Sequence, residues 1–363
     1  MLEETEVEEF VEPTPLHKGT DFVNILSVYN GVPTGSSYYR QEMPHDHLVK
    51  NYNVNCYYIP RPSQITKELI DKYEIDIVLF SRHVDLNGFT PHILAAVKSL
   101  GVKTVLDIDD YWRLSGKHVL KESYRVNKIP EQIVEAVKNV DLVIATTPQL
   151  ADKVRPLNKV EVIPNAIYRD YGQFTPQPKA SDKLRFGWFG GTCHTEDINL
   201  LRNSFEKLKG NDFELVLGGW IDDPVCHGYE KVFTGNGRIE NYRRINASDV
   251  YNYAYGYNLI DIALAPLNKN DFNQAKSELK AIEAGFHKKG LIVSNISPYT
   301  NICNDKNSFL VNKDKDWLRH INYIRKNPNA WIDKSNQLHE DVKRYDLDLV
   351  NKKRFEVYKQ ITK

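Results

Sequence analysis

The sequence lacks the cysteine and apolar patterns of several large protein classes. Its four cysteines among 363 residues form no CxxC pair, which argues against a disulfide scaffold and favours a reducing cytoplasm. No apolar run approaches the ~18 residues that span a bilayer, and the first residues lack the apolar core of a signal peptide. We therefore expect a cytoplasmic protein, either free or peripheral to a membrane.

The chain also lacks a net charge, since 48 lysines and arginines balance 48 aspartates and glutamates. No overall basic field therefore favours binding to nucleic acid or to an anionic membrane. Six glutamates lie between Glu3 and Glu12, and we expect residues 1–20 to form an acidic, flexible tail. With 41% hydrophobic residues, the rest of the chain has enough apolar material for two cores.

Short apolar runs alternate with helical patterns through both halves of the chain. This rhythm is typical of α/β domains in which helices cover both faces of a parallel sheet. The strands predicted in the first half are Val23–Val28, Val54–Ile59, Ile75–Ser81, Lys103–Asp107, Leu142–Thr146 and Val160–Ile163. Those predicted in the second half are Leu184–Phe189, Phe213–Leu217, Ile262–Ala265, Leu291–Ser294 and Phe309–Val311. The predicted helices are Pro91–Leu100, Glu131–Asn139, Asp197–Leu208, Ser248–Tyr255, Glu278–Phe286, Lys315–Lys326 and Leu347–Ile361.

A break in this rhythm divides the chain into two predicted domains. Residues 171–183 contain two prolines, a glycine and few apolar side chains, and so are predicted to be a linker. The first domain then covers residues 21–170 and the second covers 184–343, followed by a helix within 344–363. Two open parallel sheets place a cleft between the carboxyl ends of their strands, where such sheets bind their ligands.

The segment Phe186–Thr195 carries two adjacent glycines, Gly190 and Gly191, where a predicted strand gives way to a helix. Glycines let backbone N–H groups approach an anion closely, and the N-terminus of the following helix adds a favourable dipole. A bound diphosphate needs this environment. A plain strand-to-helix turn explains the same residues equally well.

The segment Asn273–Gly285 places two lysines and a glutamate on one predicted helix. Ser277 is expected to cap this helix, with Lys276 at its positive end and Lys280 one turn further. The lysines can neutralise phosphate oxygens, and Glu283 can accept hydrogen bonds from the vicinal hydroxyls of a ribose. A capped surface helix with a lysine–glutamate pair is the alternative.

Together these segments resemble family 4 glycosyltransferases of the GT-B fold. The block Lys276–Gly285 (KSELKAIEAG) lies between Asp261–Leu267 and Leu291–Ser294 in the order and spacing of that family's donor-binding end. Gly187–His194 resembles the family's phosphate loop, and Val160–Ala166 resembles the segment that closes its first domain. The likeness spans most of residues 21–361 and is strongest in the second half.

This resemblance implies the GT-B fold, which has two facing Rossmann-like domains and a C-terminal helix that crosses back to the first domain. It also implies a nucleotide diphosphate sugar as the donor, with no cofactor or metal required. On the matching positions, Glu283 would bind the donor ribose, while Lys276 and Lys280 would offset the phosphate charge. The other implied donor-binding residues are Gly190, Gly191, Thr192, His194 and Ser277.

One position departs from the family pattern. Many relatives carry an E-x7-E pair whose first glutamate touches the transferred sugar, and that position is Ala275 in this chain. We do not assign the role to the nearby Glu278. Nucleotide binding is therefore better supported than recognition of any particular sugar.

The segment after the first strand, residues 29–40, is rich in glycine, serine and tyrosine and should face the cleft. In the resembled family this loop closes over the donor phosphates and the acceptor. Gly35 and Ser36 would make it flexible, Arg40 can pair with a phosphate, and Tyr39 can stack on a ring. A simple connecting loop is the alternative.

The segment Asp107–Trp112 ends the fourth predicted strand with three aspartates. Such a cluster can bind a divalent metal, but the carboxylates need not converge and the resembled family is generally metal-independent. We interpret Asp109 and Asp110 as cleft residues that orient acceptor hydroxyls. His118 follows in the same loop and either binds the donor and shuttles a proton or is a surface histidine. These three residues and Lys280 are the catalytic candidates.

The combined hypothesis is transfer of a sugar from a nucleotide diphosphate to a hydroxyl of a glycan, a lipid-linked compound or another acceptor. The resembled family retains the anomeric configuration, and same-face attack would leave the protein to position reactants and stabilise the leaving group. One alternative is a phage-type enzyme that glycosylates hydroxymethylated DNA bases. A non-catalytic binding module is another, and a sugar-phosphate isomerase or epimerase shares the architecture.

Overall fold

The computed structural model describes residues 22–29, 33–116, 118–177 and 181–363. The predicted acidic tail, residues 1–20, lies outside the described residues, as do residues 178–180 of the predicted linker. The described ranges form two six-stranded sheets, one from each half of the chain, and every strand pair is parallel. The α/β class predicted from the apolar rhythm is therefore confirmed.

The first sheet consists of β1 (Val23–Val28), β2 (Val54–Ile59), β3 (Ile77–Ser81), β4 (Lys103–Ile108), β5 (Leu142–Ala145) and β6 (Val160–Val162). These strands lie in the order β2-β1-β3-β4-β5-β6. The inner strands are continuous apolar runs because both of their faces are covered, and Ile25, Leu79 and Val105 are fully buried.

The helices of the first half are α1 (Gly35–Ser37), α2 (Met43–Asn51), α3 (Lys67–Lys72), α4 (Thr90–Ser99), α5 (Lys121–Val126), α6 (Ile129–Asn139) and α7 (Pro148–Val154). A π-helical turn, Tyr38–Glu42, joins α1 to α2, so the chain is helical from Gly35 to Asn51. Part of the segment that was predicted as a flexible loop is therefore helical. Thr34 starts this helix, because its hydroxyl accepts a hydrogen bond from the Ser37 N–H at 3.1 Å. Pro62–Gln64 forms a 3₁₀ turn.

The second sheet consists of β7 (Leu184–Phe189), β8 (Phe213–Trp220), β9 (Tyr242–Asn246), β10 (Ile262–Ala265), β11 (Gly290–Ser294) and β12 (Phe309–Val311). Their order is β12-β11-β10-β7-β8-β9. The helices are α8 (Thr195–Ile198), α9 (Arg202–Phe205), α10 (Pro224–Phe233), α11 (Asp271–Gln274), α12 (Leu279–Phe286), α13 (Lys315–Lys326), α14 (Ile332–Val342) and α15 (Leu347–Thr362). Short 3₁₀ turns occupy Gly172–Phe174, Asn199–Leu201, Tyr253–Leu259, Tyr299–Asn301 and Lys343–Tyr345.

Two predicted helices of the second half differ in the structure. Asp197–Leu208 is not one helix, because α8 gives way to a 3₁₀ turn before α9 begins. Ser248–Tyr255 is not an α-helix, because the Asp249 carboxylate accepts from the Tyr251 N–H at 2.9 Å and so favours a turn over a helix. The chain becomes helical only at the 3₁₀ turn Tyr253–Leu259.

The C-terminal helix returns to the first domain, as the GT-B expectation requires. From α15, the Asn351 amide donates to the Pro44 carbonyl at 2.8 Å, and Asp348 accepts from His47 at 2.6 Å. The buried Arg354 lies 3.5 Å from the Asp107 carboxylate at the end of β4. The second half of the chain therefore supplies an element of the first domain.

Candidate functional site

A cavity of about 510 Å³ lies between the carboxyl ends of the two sheets. The strand order of the first sheet reverses between β1 and β3, and that of the second reverses between β7 and β10. Open α/β sheets bind ligands at such reversals, where the loops on either side diverge. Predicted site residues on the cavity wall are Gly35, Ser36, Tyr39, Arg40, Asp109, Asp110, Gly190, Gly191, His194, Lys276, Ser277, Lys280 and Glu283.

The glycine loop after β7 is held in place by Tyr229 of α10. The Tyr229 hydroxyl donates to the Thr192 carbonyl at 2.8 Å and accepts from the His194 N–H at 2.9 Å. Gly190 and Gly191 line the cavity, whereas Thr192 does not. The helix that follows, α8, is only four residues long. The dipole of α8 is therefore smaller than the predicted helix implied. The backbone of the glycine loop remains as the predicted anion-binding feature.

The helix α12 begins one residue later than predicted, and Ser277 is not its cap. The capping position is Glu278, whose side chain accepts instead from the Tyr345 hydroxyl of the 3₁₀ turn before α15. The Ser277 hydroxyl accepts from the amide of Asn165 at 3.1 Å. Ser277 therefore ties the donor-side helix to the end of the first domain, which is a different role from the predicted one.

The two lysines make different contacts at the cavity wall. Lys276 Nζ is 3.3 Å from the Asp110 carboxylate, which belongs to the first domain. Burial lowers the pKa of Lys276, but Asp110 and other neighbouring charges outweigh burial and raise that pKa overall. Lys280 donates to the Phe189 carbonyl, and burial lowers the pKa of its ammonium group. Two cations therefore line the cavity, one paired with a carboxylate and one bonded to a backbone carbonyl.

Glu283 is almost fully buried at the back of the cavity. One carboxylate oxygen accepts from the Tyr39 hydroxyl at 2.7 Å, and the other accepts from the Tyr257 hydroxyl at 2.9 Å. Burial raises the pKa of Glu283, although both tyrosine hydroxyls and Lys280 oppose that shift. Both oxygens are thus arranged to receive hydroxyl donors.

The first-domain wall of the cavity is acidic. Asp109 accepts a hydrogen bond from Ser36, and its carboxylate lies 3.4 Å from the Arg82 guanidinium. Arg82 also lies 3.9 Å from Asp110, so it bridges the two predicted acceptor-side aspartates. Charged and hydroxyl groups thus converge where an acceptor would enter.

Arg40 reaches the cavity wall but is not free to pair with a phosphate. Its guanidinium is 2% exposed and donates to both oxygens of Asp107, at 2.8 and 3.0 Å. A third bond runs to the Asn165 side chain at 3.2 Å. The predicted phosphate contact is therefore replaced by a buried ion pair at the base of the cleft.

His118 lies beside the main cavity but does not line it. The Leu120 N–H donates to its Nδ1 at 3.2 Å, and its ring meets Phe272 edge-on. Burial and the nearby Lys276 lower the pKa of His118. Its side chain faces a small pocket shared with Cys193, so the predicted role as a proton shuttle at the donor is not supported by position.

Sequence reasoning missed several residues of the site. Tyr253 lines the cavity and Tyr257 binds Glu283, but both fall in or next to a segment predicted as a helix, and nothing local marked them as site residues. Asn165 lay in the segment resembling the end of the family's first domain and could have been flagged on that basis. Across the described ranges, no group of three or more His, Cys, Asp or Glu side chains is placed to hold a metal ion.

Neither the protein-family models nor the sequences of curated proteins give a match to this chain. Comparison with solved structures does give matches. The chain superposes on a glycosyltransferase from Rickettsia africae with a TM-score of 0.67 at 18% identity, covering 95% of this chain and 100% of the other. For sucrose-phosphate synthase from Thermosynechococcus elongatus the TM-score is 0.70 at 12% identity, covering 94% and 99%. For HepE from Anabaena in complex with UDP and glucose, the TM-score is 0.65 at 12% sequence identity, covering 93% of this chain and 100% of HepE.

The chain has the GT-B fold. The GT-B resemblance drawn from the sequence is therefore confirmed at the level of architecture. None of the helices in the described part of the chain combines the length and apolar character that a membrane crossing needs.

A second cavity of about 370 Å³ opens beside the first in this GT-B chain. It lies against the second domain only, and Gly190, Gly191, Ser248 and Tyr253 line both cavities. Its wall combines aromatic rings such as Tyr255 with the polar side chains of the loop after β9. The glycine loop thus separates two spaces, one enclosed by the second domain and one shared between the domains.

Proposed function

We propose that the chain is a glycosyltransferase that moves a sugar from a nucleotide diphosphate donor to an acceptor hydroxyl. One observation carries this proposal: Lys276, Lys280, the glycine loop and Glu283 converge on a single cavity at the switch points of both sheets. Cations and backbone N–H groups suit a diphosphate, and a buried carboxylate suits a ribose diol. HepE, which has the same fold, was solved with UDP-glucose, so uridine diphosphate is the first nucleotide to test.

In this proposal the donor lies across both cavities. The base occupies the second-domain cavity, whose rings provide stacking surfaces. The diphosphate follows the Gly190–Gly191 backbone toward the lysines, and the sugar points into the shared cavity. The shared lining residues support this path, since they place the two cavities side by side along the glycine loop.

The proposed reaction retains the anomeric configuration. The bond from the anomeric carbon to the diphosphate breaks, the acceptor oxygen bonds on the same face, and the acceptor proton passes to the leaving phosphate. Negative charge then grows on the phosphate oxygens beside Lys276 and Lys280, where the low local dielectric makes its stabilisation effective. The two domain walls exclude water, which would otherwise compete as an acceptor.

The acceptor in this proposal enters against the first-domain wall. Asp109, Asp110 and Ser36 offer hydrogen-bond acceptors and a donor to a hydroxyl-rich molecule such as a glycan or a lipid-linked sugar. Asp110 also holds Lys276 at 3.3 Å, so an incoming phosphate and Asp110 would share that ammonium group. Donor and acceptor sites are therefore adjacent.

The test is calorimetric titration with uridine, adenosine and guanosine diphosphates. We expect one of them to bind, and Lys280→Ala to weaken it roughly tenfold to a hundredfold because a charge-assisted bond is lost. Glu283→Ala should also weaken binding. The controls Lys67→Ala and Glu340→Ala remove exposed charges that line neither cavity, and they should leave affinity unchanged. Equal affinity in all four variants would refute the assignment of the donor site.

Catalysis itself is tested by donor turnover. Slow hydrolysis of the nucleotide sugar without any acceptor would support an enzyme and count against a non-catalytic module. A DNA-directed enzyme would instead bind duplex DNA with an affinity that falls steeply as salt rises. The described cavity wall offers little for phosphate backbones beyond Lys276 and Lys280, because Arg40 is held by Asp107.

A further inference from the structure

Each carboxylate oxygen of Glu283 accepts one hydroxyl group, and the two hydroxyls come from different domains. Tyr257 belongs to the second domain, as Glu283 does, whereas Tyr39 reaches across the cleft from the first domain. Both tyrosines are buried, since Tyr39 is 5% exposed and Tyr257 is 3% exposed. If the domains moved apart, Tyr257 would therefore move together with the Glu283 carboxylate, whereas Tyr39 would not.

Tyr39 projects from the π-helical turn between α1 and α2. This turn makes two further contacts across the cleft, both to Tyr251 of the second domain. The Tyr251 hydroxyl donates to the Glu42 carboxylate at 2.6 Å, and the centroids of the Tyr38 and Tyr251 rings lie 5.4 Å apart. A π turn carries one residue more than an α turn and is frequent at functional sites. Here the turn makes three contacts with the opposite domain, through Tyr38, Tyr39 and Glu42.

These contacts restrict the access that a ribose needs. Each Glu283 oxygen accepts one buried hydroxyl and keeps a second lone pair for a diol. However, Glu283 is only 1% exposed, and Tyr39 lies with it on the wall of the main cavity. A ribose therefore reaches this carboxylate only if one of the tyrosines that cover it withdraws.

We propose that the Tyr39 hydroxyl takes the place of a ribose hydroxyl on Glu283 in the ligand-free chain, so that the nucleotide must displace it. The π turn then works as a latch between the domains: it closes the empty cleft and opens when a ribose competes for Glu283. Tyr39 is the residue that leaves, because Tyr257 is fixed within the second domain by stacking on His287 at 5.3 Å. This inference rests on the proposed nucleotide-binding function.

The test uses two variants that each remove one hydroxyl from the same carboxylate. Tyr39→Phe removes the competitor and keeps the ring, so we expect uridine diphosphate to bind about tenfold more tightly. Tyr257→Phe removes the support that orients Glu283, so we expect weaker binding. The opposite signs distinguish competition from a purely structural role of the tyrosines.

A second probe ties the effect to the ribose. 2′,3′-Dideoxyuridine diphosphate has no hydroxyl to place on Glu283, so Tyr39→Phe should leave its affinity unchanged. A gain of equal size for both nucleotides would overturn the competition, and so would a loss of uridine diphosphate affinity in Tyr39→Phe.

Small-angle X-ray scattering of the ligand-free chain tests the latch without any nucleotide. The double variant Tyr39→Phe/Tyr251→Phe should have a larger radius of gyration than the wild type, because it lacks the two hydroxyl contacts that the π turn makes across the cleft. An unchanged radius would overturn the latch even if nucleotides bind. Absence of nucleotide binding in every variant, together with a larger radius, would leave the latch standing and refute the proposed donor instead.

Discussion

At the residue scale, Lys289 is a buried cation whose nearest carboxylate is already engaged. Asp261 accepts from the Arg185 guanidinium at 3.1 and 3.2 Å, and both of those side chains are buried. Lys289 is 6% exposed, and its pKa falls to about 8, chiefly by burial and partly by the charge of Arg185. The ammonium form of Lys289 is therefore disfavoured in the folded chain.

Replacing Lys289 by methionine should stabilise the protein in a pH-dependent way. The folded pKa is about 8 and the unfolded pKa is about 10.4, so the unfolded state binds more protons between these values and wild-type stability rises with pH there. Below pH ~8 the full cost of the charge is present, on the order of 3 kcal/mol. Lys289→Met should gain that amount at pH 7 and lose the advantage by pH ~10.5.

Urea denaturation at pH 7 and at the highest pH at which folding stays reversible measures this gain. The neighbouring Lys288 is exposed and serves as the matched control, since Lys288→Met removes the same charge without a burial cost. A pH-independent gain in Lys289→Met would show that packing, and not the buried charge, is responsible.

The site could be predicted only in part from single residues. Lys276, Lys280 and Glu283 were recognisable because they lie at fixed spacing within one short segment of the sequence. Tyr39 was a candidate because it follows a strand, yet its bond to Glu283 joins positions 244 residues apart and has no local signal. The bond between Arg40 and Asp107 was equally hidden, since the two residues are distant in the sequence and meet only when the sheet forms.

At the element scale, β8 supports the glycine loop through Gly219. Gly219 has a φ of +80°, and a Cβ there would lie 2.2 Å from the Gly190 carbonyl oxygen. The register of β8 with β9 shifts at this point, so the strand bends where the loop rests on it. The backbone of β8 thus fixes the position of the glycine loop that faces the cavity.

Gly219→Ala should therefore damage the site more than a typical glycine substitution. The positive φ costs an alanine roughly 1–2 kcal/mol, and the contact with a backbone oxygen should displace the glycine loop. We expect a lower melting temperature by calorimetry and weaker nucleotide binding by titration. Gly228→Ala in the middle of α10 is the control, because its Cβ meets nothing within 4 Å and should stabilise the helix by up to about 1 kcal/mol. Unchanged nucleotide affinity in Gly219→Ala would contradict the support role.

Elements were predicted well where burial dictates the pattern. The strands β1, β2, β7, β10 and β12 have the predicted bounds, because buried strands of a parallel sheet read as continuous apolar runs. The edge strand β9 was missed, since its sequence YRRIN is half-exposed and rich in arginine. The helix α10 was missed as well, although Asp223 and Pro224 mark its start as an N-cap and a first-turn proline.

At the scale of the whole molecule, the two halves are joined by paired crossings of the chain. Where the chain leaves the first domain, the Ile167 N–H donates to the Tyr345 carbonyl at 3.0 Å. Where it returns, the Leu347 N–H donates to the Ile167 carbonyl at 2.9 Å. The two crossings therefore lie side by side, and any motion of one domain on the other bends both together.

Removing the α15 anchor should destabilise the first domain. Arg354→Met deletes a buried partner of Asp107, and we expect a loss of about 3 kcal/mol, at the low end for a broken buried ion pair because Arg40 still binds Asp107. Calorimetry should show the first domain melting at a lower temperature. Lys352→Met changes an exposed lysine on the same helix and should shift stability by less than about 0.5 kcal/mol. Equal melting temperatures of the two variants would argue that α15 docks without help from Arg354.

The return of α15 also sets an order of events during translation. The strands of the first sheet and Asp107 leave the ribosome early, but Arg354 is added 192 residues after Val162, the last residue of β6. At about 5–20 residues per second, this interval is roughly 10–40 seconds. For that time the nascent first domain has its sheet and Arg40 but not its last helix, so a surface that is buried in the finished protein stays open to chaperones.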